Sequence, residues 1–189
     1  MNFERQLERY SAQYSNCKKD LIASVVEFYR NFQGASPSCF SRELLSGHFT
    51  ASGLVIRLGD CGVLETLLTQ HATLNLWLQP GGHADDNPNL LEVATQEVLE
   101  ETGLVCKWLL DGEIIDIDIH LIPRTCKVQE HHHFDVRYLF GADKSAEFVM
   151  SSESLSMEWV ALDSIVENPK YDASLQMLVK KAISANVSP

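Results

Sequence analysis

Residues Gly81 to Leu104 read GGHADDNPNLLEVATQEVLEETGL, and the run that decides the fold is Gln96-Glu97-Val98-Leu99-Glu100-Glu101-Thr102-Gly103-Leu104. Asn87 is a good N-cap, Pro88 suits the first helical position and Gly103 is a good stop, so the spacing predicts one helix from about 88 to 102. At 3.6 residues per turn, Glu97, Glu100 and Glu101 project from one arc. Leu90, Val93 and Ala94 share that arc one to two turns earlier, so an apolar stripe that should face the core runs into three carboxylates. Like charges at this spacing repel, and a partly buried carboxylate either takes up a proton or finds a cation. Clustered anionic oxygens suit Mg2+, with Mn2+ as a substitute, and an ion that keeps some of its waters also holds phosphate oxygens.

The stretch resembles the signature of the Nudix hydrolases, which places a glycine ahead of a helix carrying Arg-Glu-hydrophobic-any-Glu-Glu-any-Gly-hydrophobic. Gly82, Glu97, Val98, Glu100, Glu101, Gly103 and Leu104 match it. Pro88 stands where the family has a first glutamate, and Gln96 where it has arginine. An arginine would give the carboxylates a fixed charge-assisted partner, which glutamine cannot. Asp85 or Asp86, in the preceding loop, is the candidate replacement for the missing glutamate. HFTASGLVIR at 48–57, LWLQPGGHADD at 76–86 and HHHFDVRYLF at 131–140 extend the resemblance over roughly residues 47–165.

The resemblance implies an α/β (α+β) fold, a Nudix-like mixed sheet between helices, here with an N-terminal helical extension. It also implies hydrolysis of a diphosphate joined to a nucleoside or similar moiety. Glu97, Glu100 and Glu101 would hold Mg2+ and act in catalysis, with the Gly81 carbonyl as a further ligand. A turn glycine is the plainer account of Gly81. The expected partner is a small phosphorylated metabolite.

A formal charge of −11 over 189 residues argues against wrapping a long nucleic acid, which needs a basic surface. Composition is 45% hydrophobic and 22% charged, ordinary for a globular chain with a sizeable core. Cys17, Cys39, Cys61, Cys106 and Cys126 are widely spaced without a CxxC pair, and read as reduced structural thiols rather than a zinc site or a disulfide framework. No apolar run approaches membrane-spanning length, so the expectation is a soluble cytoplasmic protein with no membrane partner.

Residues 1–41 read as a helical extension and 42–189 as the catalytic domain. Phe3, Leu7, Tyr10 and Tyr14, then Leu21, Val25, Phe28, Tyr29 and Phe32, mark two amphipathic helices that cover the catalytic domain or pair two subunits as a homodimer. Phe49–Leu58, Val63–Gln70, Leu74–Leu78, Val105–Leu109, Glu113–Ile122, His131–Phe140 and Met157–Ala161 read as strands, and Asp172 to about Ala185 as a closing helix. Along 131–140, Phe134, Val136, Tyr138 and Phe140 share one face, while His133, Asp135, Arg137 and Leu139 share the other.

Candidate substrate contacts are Arg57, His83, His133, Asp135 and Arg137. Each arginine is weighed against a plain salt bridge. Only His131 and His133 of the three adjacent histidines act together in a strand; zinc is weighed there against a polar strand face with one ring near substrate. Trp77, Trp108 and Trp159 are weighed as base-stacking against packing. Glu130, Glu147, Glu153 and Glu158 include a candidate further ligand or general base. Two other functions stay open. A binding module that has lost catalysis gains little from a repulsive carboxylate cluster, and a prenyl diphosphate isomerase needs an acid and a base beside an apolar chain.

Overall fold

The computed structural model describes residues 2–14, 16–72, 75–126, 128–151 and 154–189, with Cys61 described in its backbone alone. Leu74, Glu153 and the Cys61 side chain therefore lie outside the described residues. The elements run in the order α1 (Phe3–Tyr14), α2 (Lys19–Phe32), β1 (Gly47–Leu58), β2 (Leu64–His71), β3 (Trp77–Leu78), β4 (Gly81–His83), α3 (Leu90–Thr102), β5 (Lys107–Trp108), β6 (Asp116–Ile122), β7 (His131–Gly141), β8 (Ser154–Ala161), α4 (Leu162–Ile165) and α5 (Ala173–Ser184).

β1 and β7 form the axis of a mixed sheet, parallel and in register from Gly47 opposite His132 to Ile56 opposite Gly141. β2 and β4 are both antiparallel to β1, β4 along residues 50–52 and β2 along 56–58. β5 and β6 are antiparallel to β7, and β3 and β8 to β2. β1 is buried along most of its length because both of its faces are covered, which its nearly unbroken apolar reading anticipates.

One face carries Phe49, Ala51, Val55, Phe134, Val136, Tyr138 and Phe140 and packs against α3 and the two N-terminal helices. Phe28 stacks flat on Phe134 with centroids 4.0 Å apart, and Phe3 meets Phe49 edge-on at 5.0 Å. The amphipathic helices thus cover the sheet and share its core. Val25 is fully buried in α2. Val25→Ala should cost about 2 kcal/mol of stability, read from the denaturation midpoint, as expected for methyls removed from a packed interior. The other face, with Leu54, Ile56 and Leu139, packs against α4 and α5.

The helix at the centre of the sequence begins at Leu90, later than expected. Asn87 and Pro88 form a turn in which the Asn87 Oδ1 accepts the Asn89 N–H at 2.9 Å, so Asn89 occupies the N-cap position. The helix ends as expected at Gly103, whose φ of 71° is left-handed. The 105–109 strand shrinks to Lys107–Trp108 and residues 113–115 precede β6. Cys17, Cys39, Cys106 and Cys126 are free thiols; burial pushes Cys39 up to about 12 and Cys106 up to about 11, so neither is a ready nucleophile. Among the described residues no helix is long and apolar enough to cross a membrane.

Candidate active site

β4 consists of Gly81, Gly82 and His83, and α3 packs across it. Gly81 lies opposite Ser52 and Gly82 opposite Ala51 on β1. This close approach accounts for both glycines. A Cβ on Gly81 would come within 2.7 Å of Ser52 Cα, and a Cβ on Gly82 would strike the Glu97 carboxylate. The Gly81 N–H donates to Glu101 Oε1 at 2.9 Å. Glu97 and Glu101, one helical turn apart and both half-buried, therefore bring their carboxylates to the backbone of the same two glycines.

Glu100 is exposed, and its Oε1 accepts from Gln96 Nε2 at 2.5 Å. The structure thus brings Glu97 and Glu101 together against β4, with Glu100 on the solvent side. The loop after β7 closes over the end of α3, where the Val149 and Ser151 N–H groups donate to the Thr102 and Glu101 carbonyls at 2.8 and 3.2 Å. Glu147 in that loop is exposed, as are Glu130 and Glu158.

The loop between β4 and α3 carries a partner that sequence reasoning missed. Asp85 takes a two-pronged ion pair from Arg42, with Nε to Oδ1 at 2.5 Å and Nη2 to Oδ2 completing the fork. Hydrogen bonding to Arg42 holds the Asp85 carboxyl below its usual range. The reciprocal bond raises the Arg42 pKa, with the charge of Glu97 adding to the effect. Asp86 instead ties the loop to residues 40–41: its N–H donates to the Phe40 carbonyl at 3.0 Å. An arginine comes near the acidic cluster after all, from a connector far from Gln96. Nothing periodic marked it in the sequence.

Beside this loop lies a cavity of about 360 Å3 lined by Arg42, Leu45, His48, His83, Ile122 and His133 among others. His48 and His133 face each other across the β1/β7 ladder, and His83 on β4 pairs with Thr50 on the same face. Burial, then the neighbouring histidines, push His48 down to about 4 and His133 down to about 2; burial and the Arg42 charge lower His83 as well. These rings are therefore neutral near pH 7.

Arg57, Asp135 and Arg137 are placed elsewhere. Arg57 pairs with Glu65 at 2.9 Å and stacks 4.1 Å over Trp159, far along β1. Arg137 is buried between Asp135 at 2.9 Å, Asp118 at 3.3 Å and Asp116 at 3.4 Å. Burial opposes its charge, but those three carboxylates outweigh it and its pKa is raised. Asp135 also accepts from Thr50 and Ser52, at 3.0 and 2.8 Å. Both residues belong to a closed polar network beneath the sheet. Trp77 and Trp159 are covered by Lys170 and Arg57, while Trp108 is half exposed and bonded to Thr95.

A family model described as the NUDIX domain matches residues 48–180. The chain belongs to the Nudix family. Among curated relatives of this Nudix chain, the bis(5'-nucleosyl)-tetraphosphatase [asymmetrical] of Rattus norvegicus is 27% identical over 115 residues, 60% of this chain and 75% of that protein. A C. elegans Ap4A hydrolase in a binary complex superposes with a TM-score of 0.59 at 19% identity, covering 74% of this chain and 98% of that one. A NUDIX-family hydrolase from Clostridium perfringens gives 0.57 at 22% identity, covering 73% and 97%. At these identities the two structures establish the shared fold. The protein is a Nudix-type hydrolase that cleaves pyrophosphate linkages.

On β4, beside the Nudix helix, Gly82→Ala is expected to displace the Glu97 carboxylate without unfolding the protein, because the colliding atoms end a flexible side chain. Activity should fall about 10- to 100-fold while stability changes by less than about 1 kcal/mol. Turnover assays and thermal melts on the same preparation check both halves.

Proposed function

We propose that this hydrolase requires Mg2+ and cleaves a diphosphate linkage in a nucleoside polyphosphate joined to a second moiety, with a dinucleoside tetraphosphate as the first substrate to test. The observation that carries the reading is the seating of the Glu97 and Glu101 carboxylates against Gly81 and Gly82. The donors are all hard oxygens, and without a Cβ at Gly82 the Glu97 carboxylate comes up against the β4 backbone. That set fits Mg2+, or Mn2+ in its place. Glu97 and Glu101, Glu100 from the exposed side and the Gly81 carbonyl are the residues that would hold the ion. When bound it supplies neutralising charge for phosphate oxygens and lowers the pKa of water.

The remaining work falls to groups of the chain itself. Arg42, fixed by Asp85, sets a positive charge at the mouth of the histidine cavity, on the side of Glu97. The neutral rings of His83 and His133 offer uncharged hydrogen-bonding atoms to a ligand there. A carboxylate of the cluster takes the proton of the attacking water. Phosphoryl transfer depends mainly on positioning and charge neutralisation, so acids fixed on one rigid helix suffice. The choice of a dinucleoside tetraphosphate follows the name of the rat relative.

With Mg2+, the purified protein should convert a dinucleoside tetraphosphate to two unequal nucleotides, separated by chromatography. Chelation with EDTA should stop the reaction and added Mg2+ should restore it. Undiminished turnover in EDTA would remove the metal from the reading. Inertness toward a panel of nucleoside-linked diphosphates with Mg2+ and Mn2+ would remove the substrate class.

A further inference from the structure

We infer that His48, His83 and His133 form a second metal site, a three-nitrogen centre for a transition-metal ion of the Zn2+ class, separate from the carboxylate site on α3. Each histidine comes from a different one of the adjacent strands β1, β4 and β7, and all three project from the same face of the sheet. One ligand atom from each lies within 4.8 Å of the other two. The rings crowd one another, with centroids 4.8 Å apart for His48 and His133, 5.1 Å for His48 and His83, and 5.0 Å for His83 and His133. Two nitrogens bound to one tetrahedral zinc are roughly 3.3 Å apart at the usual Zn–N length, so modest side-chain rotation closes the set.

The second, independent observation is His48 itself. It is 2% exposed, and among the described residues neither ring nitrogen has a hydrogen-bond partner of normal geometry. A buried imidazole with both nitrogens unsatisfied carries a penalty that an apolar side chain would avoid, so simple packing explains the ring contacts but leaves these atoms unaccounted for. An ion bound at one of them satisfies that nitrogen. The state of the rings agrees: they stand neutral at physiological pH, with lone pairs available to a metal. Arg42 on the cavity wall is paired with Asp85, whose negative charge partly offsets the arginine's effect at His83.

Soft-to-borderline nitrogen donors select zinc-like ions, whereas the all-oxygen set on α3 selects Mg2+ or Mn2+, so the two sites sort different metals. Three protein ligands leave a coordination position open. Because all three rings line the cavity, that position faces the space where a phosphate oxygen or a water completes the shell.

The test uses the full chain carrying Glu97→Gln and Glu101→Gln, which disables the carboxylate site without touching the histidines. Zn2+ titrated by calorimetry, and Co2+ as a visible-absorbing substitute, should bind at one equivalent, with the intense d–d bands of low-coordinate nitrogen ligation. Adding His83→Ala or His133→Ala, at half-buried positions, should weaken binding at least 100-fold while the metal-free melting temperature stays near that of the parent. His48→Gln should do the same if it folds. Absence of stoichiometric Zn2+ or Co2+ binding in the parent, or binding unchanged in both half-buried variants, would overturn the assignment. Neither result bears on diphosphate hydrolysis, which is measured on the unmodified protein with Mg2+.

Discussion

Glu101→Gln is expected to lower kcat/KM at least about 100-fold, a loss of about 2.7 kcal/mol or more of transition-state stabilisation at 1.36 kcal/mol per factor of ten. The substitution isolates charge from shape. Glutamine has the same heavy-atom outline, and its side-chain oxygen can still accept the Gly81 N–H now bonded to Glu101 Oε1 at 2.9 Å. The helix and its seat on β4 should therefore persist, and a melting curve should show little change. What disappears is one of two negative charges at the glycine pair, and with it the attraction for a divalent ion. Raising Mg2+ should recover part of the lost rate if weakened metal affinity is the cause. Glu100→Gln, at an exposed position where the side chain accepts from Gln96 of the same helix, should have the smaller effect of the two.

Arg137→Met is expected to cost about 3–5 kcal/mol of stability, the usual consequence of removing one partner from a buried ionic network. The network binds Arg137, Lys18 and Lys181 to Asp116, Asp118 and Asp135, with Lys18 and Lys181 at 2.6 and 2.8 Å from Asp116 Oδ1. Three cations oppose three anions in a region where Arg137, Asp116 and Asp135 are each at most 6% exposed. Methionine keeps the length and the packing but leaves Asp135 with neutral donors, the Thr50 and Ser52 hydroxyls and the Gln79 amide. The melting temperature should drop by roughly 6–20 °C for a chain of this size. Adding Asp135→Asn should recover part of that loss, because the amide needs no counter-charge. A change below about 1 kcal/mol in the single variant would show that water reaches these groups and that the network is not sealed.

The local parts of the fold were readable in the sequence. Gly103 stops its helix with a left-handed φ, and the alternation along 131–140 separates Phe134, Val136, Tyr138 and Phe140 from His133, Asp135, Arg137 and Leu139 on the two faces of β7. Where reading failed, the competing interaction was either very local or very distant. The helix begins two residues late because the Asn87 side chain bonds the Asn89 backbone, an alternative to the helical pattern open to asparagine. In the sequence Arg137 reads more readily as one half of an ion pair than as a phosphate contact, and its partners are not named there. The choice is made by Asp116 and Asp118, which only the β6/β7 register brings beneath it. The same holds for the site. Glu97 and Glu101 were legible from helical spacing, but the division that leaves Glu100 outside depends on where α3 crosses β4. Arg42, and the gathering of His48 and His83 with His133, arise from non-local pairing that no periodicity announces.

The central claim is that a divalent ion is held between Glu97, Glu101 and the backbone at Gly81. Crystals grown in Mn2+ and measured for anomalous scattering address it directly. The predicted result is a strong peak within bonding distance of both carboxylates and the Gly81 carbonyl, absent in the Glu97→Gln, Glu101→Gln double variant. A map with no peak at that position in the unmodified protein, at Mn2+ concentrations that support turnover, would contradict the account.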